Sequence, residues 1–148
     1  LAAHAVTPGQ PGPELQLPGR TGNTVSLPDR KAKVTYVDFW ASWCGPCRQS
    51  FPWLNRMHAQ YAANGLHVVG VNLDANRSDA DAFLAQVPAQ FDVVFDPRGA
   101  SGKAYALRGM PSSVLLGADG KVLAVHTGFR AEDPAVLDAL IKKELATP

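Results

Sequence analysis

The chain has two cysteines, Cys44 and Cys47, and both lie in the run Trp43-Cys44-Gly45-Pro46-Cys47-Arg48. Two thiols at that spacing can close a small disulfide ring and exchange it with an outside disulfide. The residues before them, Lys33 to Trp40 (KVTYVDFW), are rich in β-branched and aromatic types and predict a buried strand. The residues after them carry Phe51, Leu54, Met57 and Tyr61 at helical spacing, which predicts a helix ending near Asn64-Gly65. A strand that turns into a helix at this pair puts Cys44 at the helix N-terminus. Free N–H groups and the positive end of the helix dipole stabilise a thiolate there. Cys44 then has a lowered pKa and becomes the nucleophile. Cys47, one turn further on, attacks the mixed disulfide and releases the partner. Pro46 suits a first helical turn and stiffens the loop.

Two plainer readings compete. A purely structural disulfide across two intervening residues would constrain the unfolded chain very little. A metal site needs more ligands than the pair supplies. His58 follows Cys47 by eleven residues on the same predicted helix, too far for a compact site. No metal is therefore expected, and His4, His58, His67 and His126 read as surface or hydrogen-bonded residues.

The elements that must hold the pair in place are legible around it. The 148 residues suit one domain, and a 46% hydrophobic content can fill its core. Fourteen Lys and Arg against thirteen Asp and Glu give a net charge of +1, which argues against a nucleic-acid partner. No apolar run approaches the roughly 18 residues of a membrane span. Residues 1–13 are rich in Pro and Gly and read as a flexible lead-in, with a single domain over 14–148. Leu15, Leu17, Val25 and Leu27 alternate on either side of a turn-rich stretch and predict a hairpin. Leu66 to Asp74 and Phe91 to Phe95 predict further strands. Between them Phe83, Leu84 and Val87 form a helix face, with Ser78 and Asp81 resembling a capping box.

Asp96-Pro97-Arg98-Gly99 has type I turn chemistry, with a short helix over about 100–106 behind it. Ser112 to Gly117 and Lys121 to Thr127 predict strands joined across Asp119-Gly120. Asp133 and Pro134 open a last helix whose apolar face is Val136, Leu137, Leu140, Ile141 and Leu145. This order predicts an α/β fold, a central mixed sheet with helices on both faces.

The run Val37 to Cys47 (VDFWASWCGPC) closely resembles the thioredoxin superfamily. Pro52 stands where the family has the proline of its active-site helix, Arg108 to Ser112 (RGMPS) resembles its cis-proline loop, and Gly128 matches another family glycine. The N-terminal hairpin and the middle insert are more similar to the exported TlpA/ResA-like (DsbE-like) branch than to short cytosolic thioredoxins. The resemblance implies a thioredoxin fold with an added N-terminal β-hairpin. It implies that Pro111 is cis and faces the pair, and that the Met110 backbone is free to pair with an extended substrate segment. Trp43, with Gly45 and Pro46, would contact the partner, while Trp40 belongs in the core. Asp38 would be a buried acid behind Cys47 that takes its proton. As strand neighbours, Val37 and Phe39 would point to the opposite face.

Two departures bear on function. Gly70 stands where thioredoxin carries a Lys beside the buried acid, and Ser50 stands where cytochrome c maturation proteins carry a Glu. The acid arrangement therefore resembles thioredoxin inside a TlpA-like frame. The expected activity is thiol–disulfide exchange, with reduction of disulfides in exported proteins as the leading reading. The intervening Gly-Pro matches reducing members, near −270 mV, against about −120 mV for the strongest oxidant. An oxidant or isomerase, a cytosolic thioredoxin-like role, a peroxidase and a non-catalytic binding module are the alternatives. Ala41 argues against the peroxidase, which would carry Thr or Ser there. No cofactor is implied. The expected partners are proteins bearing disulfides or thiols and a membrane electron donor, with the chain a monomer. The absence of Cys outside the motif suits a periplasmic or exported location. The chain starts at Leu1, so a signal or membrane anchor ahead of it would be invisible.

Overall fold

In the computed structural model, residues 6–148 are described. The elements in chain order are β1 (Leu15–Pro18), β2 (Thr24–Leu27), β3 (Val34–Trp40), α1 (Gly45–Tyr61), β4 (Leu66–Asn72), α2 (Arg77–Gln86), β5 (Asp92–Phe95), α3 (Ala100–Ala104), β6 (Ser112–Gly117), β7 (Val122–Thr127) and α4 (Asp133–Ala146). β3 is buried along its whole length, because it is the middle strand of a sheet ordered β5-β4-β3-β6-β7. β4 runs parallel to β3 and β5 parallel to β4, whereas β6 and β7 are antiparallel. β1 and β2 form the expected hairpin as a separate sheet.

The period-2 alternation of β3 divides the core. Tyr36 and Trp40 lie on one side with Phe51, Leu54 and Met57 of α1, Phe83 of α2, and Leu137 and Ile141 of α4. Val37 and Phe39 lie on the other side, with Leu27, Tyr105 and the hairpin residues Leu15, Leu17 and Val25. Asp38 falls between Tyr36 and Trp40 and so shares the helical side. The expectation of helices on both faces is met unevenly. Three helices cover one face, and the hairpin with the short α3 region covers the other.

Four local readings are corrected. The described part of the expected lead-in, residues 6–13, is tied to the β6–β7 hairpin. Gly9 N–H donates to Val122 (2.8 Å), Val122 N–H to Gln10 (2.8 Å) and Gly12 N–H to Gly120 (2.9 Å). A Cβ on Gly12 would meet Leu116 at 3.0 Å, so glycine there allows close approach rather than flexibility. The remainder, residues 1–5, lies outside the described residues. Ser78 is not a cap: α2 starts at Arg77, behind Asn76, with no side-chain capping bond. Nor does Asp133 cap α4. Its Oδ2 accepts from Arg130 N–H (2.7 Å) and pairs with His126 Nε2 (2.9 Å), linking the helix start to β7. Those bonds, led by the Arg130 amide, hold the Asp133 carboxyl below its usual range. Val136 is exposed, because Leu137, Ile141 and Leu145 carry the buried face of α4.

Candidate active site

β3 ends at Trp40, and five residues later α1 begins, with Cys44 in the N-cap position and extended backbone. Cys44 and Cys47 are joined in a disulfide with Cα atoms 5.4 Å apart. Cys44 is 5% exposed and Cys47 fully buried, so an incoming sulfur can reach only Cys44. Gly45 and Pro46 form the exposed first turn between them, and the first turn of α1 carries no acidic residue to oppose a thiolate. Trp43 is 72% exposed beside the pair. Trp40 is core, as expected, with ring centroids 4.9 Å from Phe51 and 4.8 Å from Phe83. Pro52 lies inside α1, where it withholds one helical N–H. Ser50 is buried, and its hydroxyl donates to the Cys47 carbonyl (3.1 Å). It therefore supplies no carboxylate to the pair.

Asp38 is buried as expected, on the core side that also holds both cysteines. Its Oδ1 accepts from Ser113 Oγ at 3.4 Å, and its Oδ2 has no hydrogen-bond partner. Tyr36 donates its hydroxyl to Ser113 Oγ at 2.9 Å, completing a buried chain of three polar side chains. Desolvation pushes the Asp38 carboxyl up to about 8, and the Ser113 hydrogen bond draws it partly back. Desolvation, and then the nearby Asp38, raise the Tyr36 hydroxyl well above its ordinary value. The β3–β4 register puts Gly70 opposite Asp38. A Cβ there would meet Trp40 Nε1 and Phe91 Cε1 at 3.0 Å. This interior has no room for a lysine, which is why Asp38 has no cationic partner.

The Met110–Pro111 peptide bond is cis. Gly128 N–H donates to Pro111 (2.7 Å), and Ser112 Oγ to Gly109 (2.6 Å), which fixes the loop on both sides. The backbone N–H and C=O of Met110 make no hydrogen bond among the described residues. Trp43 and Met110, from distant parts of the chain, line one groove.

One supporting residue was not foreseen. Asp74, buried just past β4, accepts from Ser42 N–H (2.9 Å), Ser42 Oγ (2.7 Å) and Asn72 Nδ2 (2.8 Å). It clamps the loop that carries Trp43 and Cys44. An Asp at the end of an apolar strand was the available signal, but its partner lies 32 residues away in sequence. Among the histidines, His67 Nε2 hydrogen-bonds Asp92 (2.6 Å) while its Nδ1 lies 3.0 Å from Asp29 without a hydrogen bond, and His126 pairs with Asp133. His58 departs from expectation, since its Nδ1 is buried without a partner. His4 lies outside the described residues.

A family model described as Redoxin matches residues 7–141. The chain belongs to the redoxin family. Within this redoxin's relatives, the thiol-disulfide oxidoreductase ResA of Bacillus subtilis is 28% identical over 128 residues, covering 86% of this chain and 72% of that protein. A solved structure described as a proposed thiol:disulfide interchange protein DsbE from Chlorobium tepidum is 52% identical. It superposes with a TM-score of 0.92 and covers 96% of this chain and 100% of its own. StoA from Bacillus subtilis is 25% identical with a TM-score of 0.74, covering 90% and 99%. The thioredoxin-like fold, the relatives and the Cys44–Cys47 disulfide make this redoxin a thiol–disulfide oxidoreductase of the ResA/DsbE-like kind.

Proposed function

We propose that this redoxin reduces disulfides in exported proteins, with Cys44 as nucleophile, Cys47 as resolving thiol and Asp38 as the proton acceptor. The observation that carries this reading is the asymmetry of the pair: Cys44 lies at a helix N-terminus with an outlet to solvent, and Cys47 is sealed beneath it. In the reduced protein the Cys44 thiolate attacks one sulfur of the partner's disulfide. That S–S bond breaks, the partner's other sulfur leaves as a thiolate, and a mixed disulfide forms. Cys47 then loses its proton to the free Oδ2 of Asp38, in the molecules whose Asp38 is ionised, and attacks the Cys44 sulfur. The mixed disulfide breaks, the partner leaves as a dithiol after protonation, and the Cys44–Cys47 bond closes. Two electrons pass to the partner, and an external dithiol donor must restore them.

Trp43, Gly45, Pro46, Met110 and Pro111 receive the partner, with the unpaired Met110 backbone bonding an extended strand. The Gly45-Pro46 dipeptide supports the reducing direction. The lack of other cysteines supports an exported compartment, where a membrane-held dithiol protein is the expected donor and a monomer the working unit. No helix among the described residues is long and apolar enough to cross a membrane. The test is the reduction potential of the Cys44–Cys47 pair, measured against defined thiol buffers. A value near or below about −250 mV is expected, and one above about −180 mV would assign an oxidant or isomerase instead.

A further inference from the structure

Beside the disulfide, an open groove of about 520 Å³ lies between the Trp43 loop, the residue after β4, α3 and the Met110 loop. Its apolar lining is Trp43, Leu73, Leu107 and Met110. Among the described residues its charged lining is Lys103 and Arg108, with no carboxylate. Both are exposed, and neither side chain has a hydrogen bond or ion pair among the described residues. Arg56 and Arg98 are likewise exposed and unpaired among the described residues, but Lys103 and Arg108 are the cations that face this apolar groove. Between the two cations Ala106 holds left-handed backbone at φ 51°, a conformation disfavoured for a non-glycine residue. Such strain gathers where a surface is shaped for binding. At the groove wall, Gly109 and the unpaired Met110 backbone leave room for an extended segment.

We infer that this groove selects partner segments that carry a carboxylate beside an apolar residue, with Lys103 and Arg108 reading the charge. The inference rests on the thiol–disulfide reading of the Cys pair. The occupant is the stretch of an oxidised partner that flanks its reacting cysteine. Its apolar side chain covers Leu73, Leu107 and Met110 against Trp43, and its Asp or Glu meets the two cations. Charges at this distance from solvent act mainly on encounter, so the preference appears in kcat/KM and weakens with salt.

The experiment uses the reduced protein and two synthetic disulfide peptides. They are identical, with a Leu next to the reacting cysteine, except for Glu or Lys at the following position. A neutral small disulfide, bis(2-hydroxyethyl) disulfide, is run alongside. At about 0.01 M ionic strength the Glu peptide is expected to react roughly tenfold faster than the Lys peptide, with the ratio shrinking near 1 M. In the Lys103→Gln/Arg108→Gln variant the ratio is expected to fall to about one. Equal rates for the two peptides in the unaltered protein would overturn the inference and leave the redox reading standing. So would a ratio that survives in the double variant, because the preference would then lie elsewhere. Failure to reduce any of the three disulfides would instead overturn the redox reading beneath it.

Discussion

Asp38 owes its character to two neighbours that are small or apolar. Gly70 leaves no cation beside it, and Ser113 is its one hydrogen-bond donor. Burial raises its carboxyl from an ordinary 3.8 to about 8. Between those values the folded protein keeps a proton that the unfolded chain releases. This contribution to stability is therefore fully present below about pH 4 and is lost as pH rises towards about 8. The expected loss across that window is on the order of 6 kcal/mol, and Asp38→Asn should remove the slope. Urea melts of both proteins at several pH values measure it. The same substitution should slow resolution at neutral pH by about tenfold or more, with the fold intact. An unchanged pH–rate profile would remove Asp38 from the mechanism. Ser113→Ala deletes the bond that favours the charged form, so the Asp38 inflection should move higher still, read directly by NMR titration of its carboxyl.

At the scale of elements, the Cys pair depends on how the β3–α1 loop is held. The helix start can stabilise the Cys44 thiolate only if the loop keeps Cys44 in the N-cap position, and Asp74 ties down that loop through Ser42. Removing its carboxylate strands three donors at a partly buried site. Asp74→Ala is therefore expected to cost about 2–3 kcal/mol in a denaturant melt. Its exchange rate should also fall, because Trp43 and Cys44 lose their fixed approach. Asp74→Asn keeps one acceptor oxygen and should recover part of both losses. The helices themselves were visible in the sequence through their apolar spacing. Their caps at Asn76 and Glu132 were not, because Ser78 and Asp133 have the residue types of caps, yet Ser78 lies inside α2 and Asp133 bonds Arg130 and His126 instead.

For the whole molecule, the N-terminal segment acts as part of the sheet's edge. It bonds to the β6–β7 hairpin at Gly9, Gln10 and Gly12, and Pro13 accepts from the Tyr105 hydroxyl at 2.6 Å. Deleting residues 1–13 is expected to lower stability by about 2 kcal/mol, since several of these bonds lie near solvent, and an equilibrium melt checks it. A loss close to zero would return the segment to the role of a linker. The sequence by itself determined the redox pair, the strand that feeds it and the alternation that sets Asp38 on the face opposite Val37 and Phe39, each written in residue type and in spacing over a few positions. Its resemblance to thioredoxins implied the cis-proline loop and the burial of Asp38. Tertiary structure alone decided the Ser113–Tyr36 chain, the Asp74 clamp, the docked N-terminus and the cationic groove. Those depend on residues such as Asp38 and Ser113, which are 75 positions apart and meet only because β6 returns antiparallel to β3. Local periodicity specifies which face a side chain takes, and the sheet register specifies what it finds there.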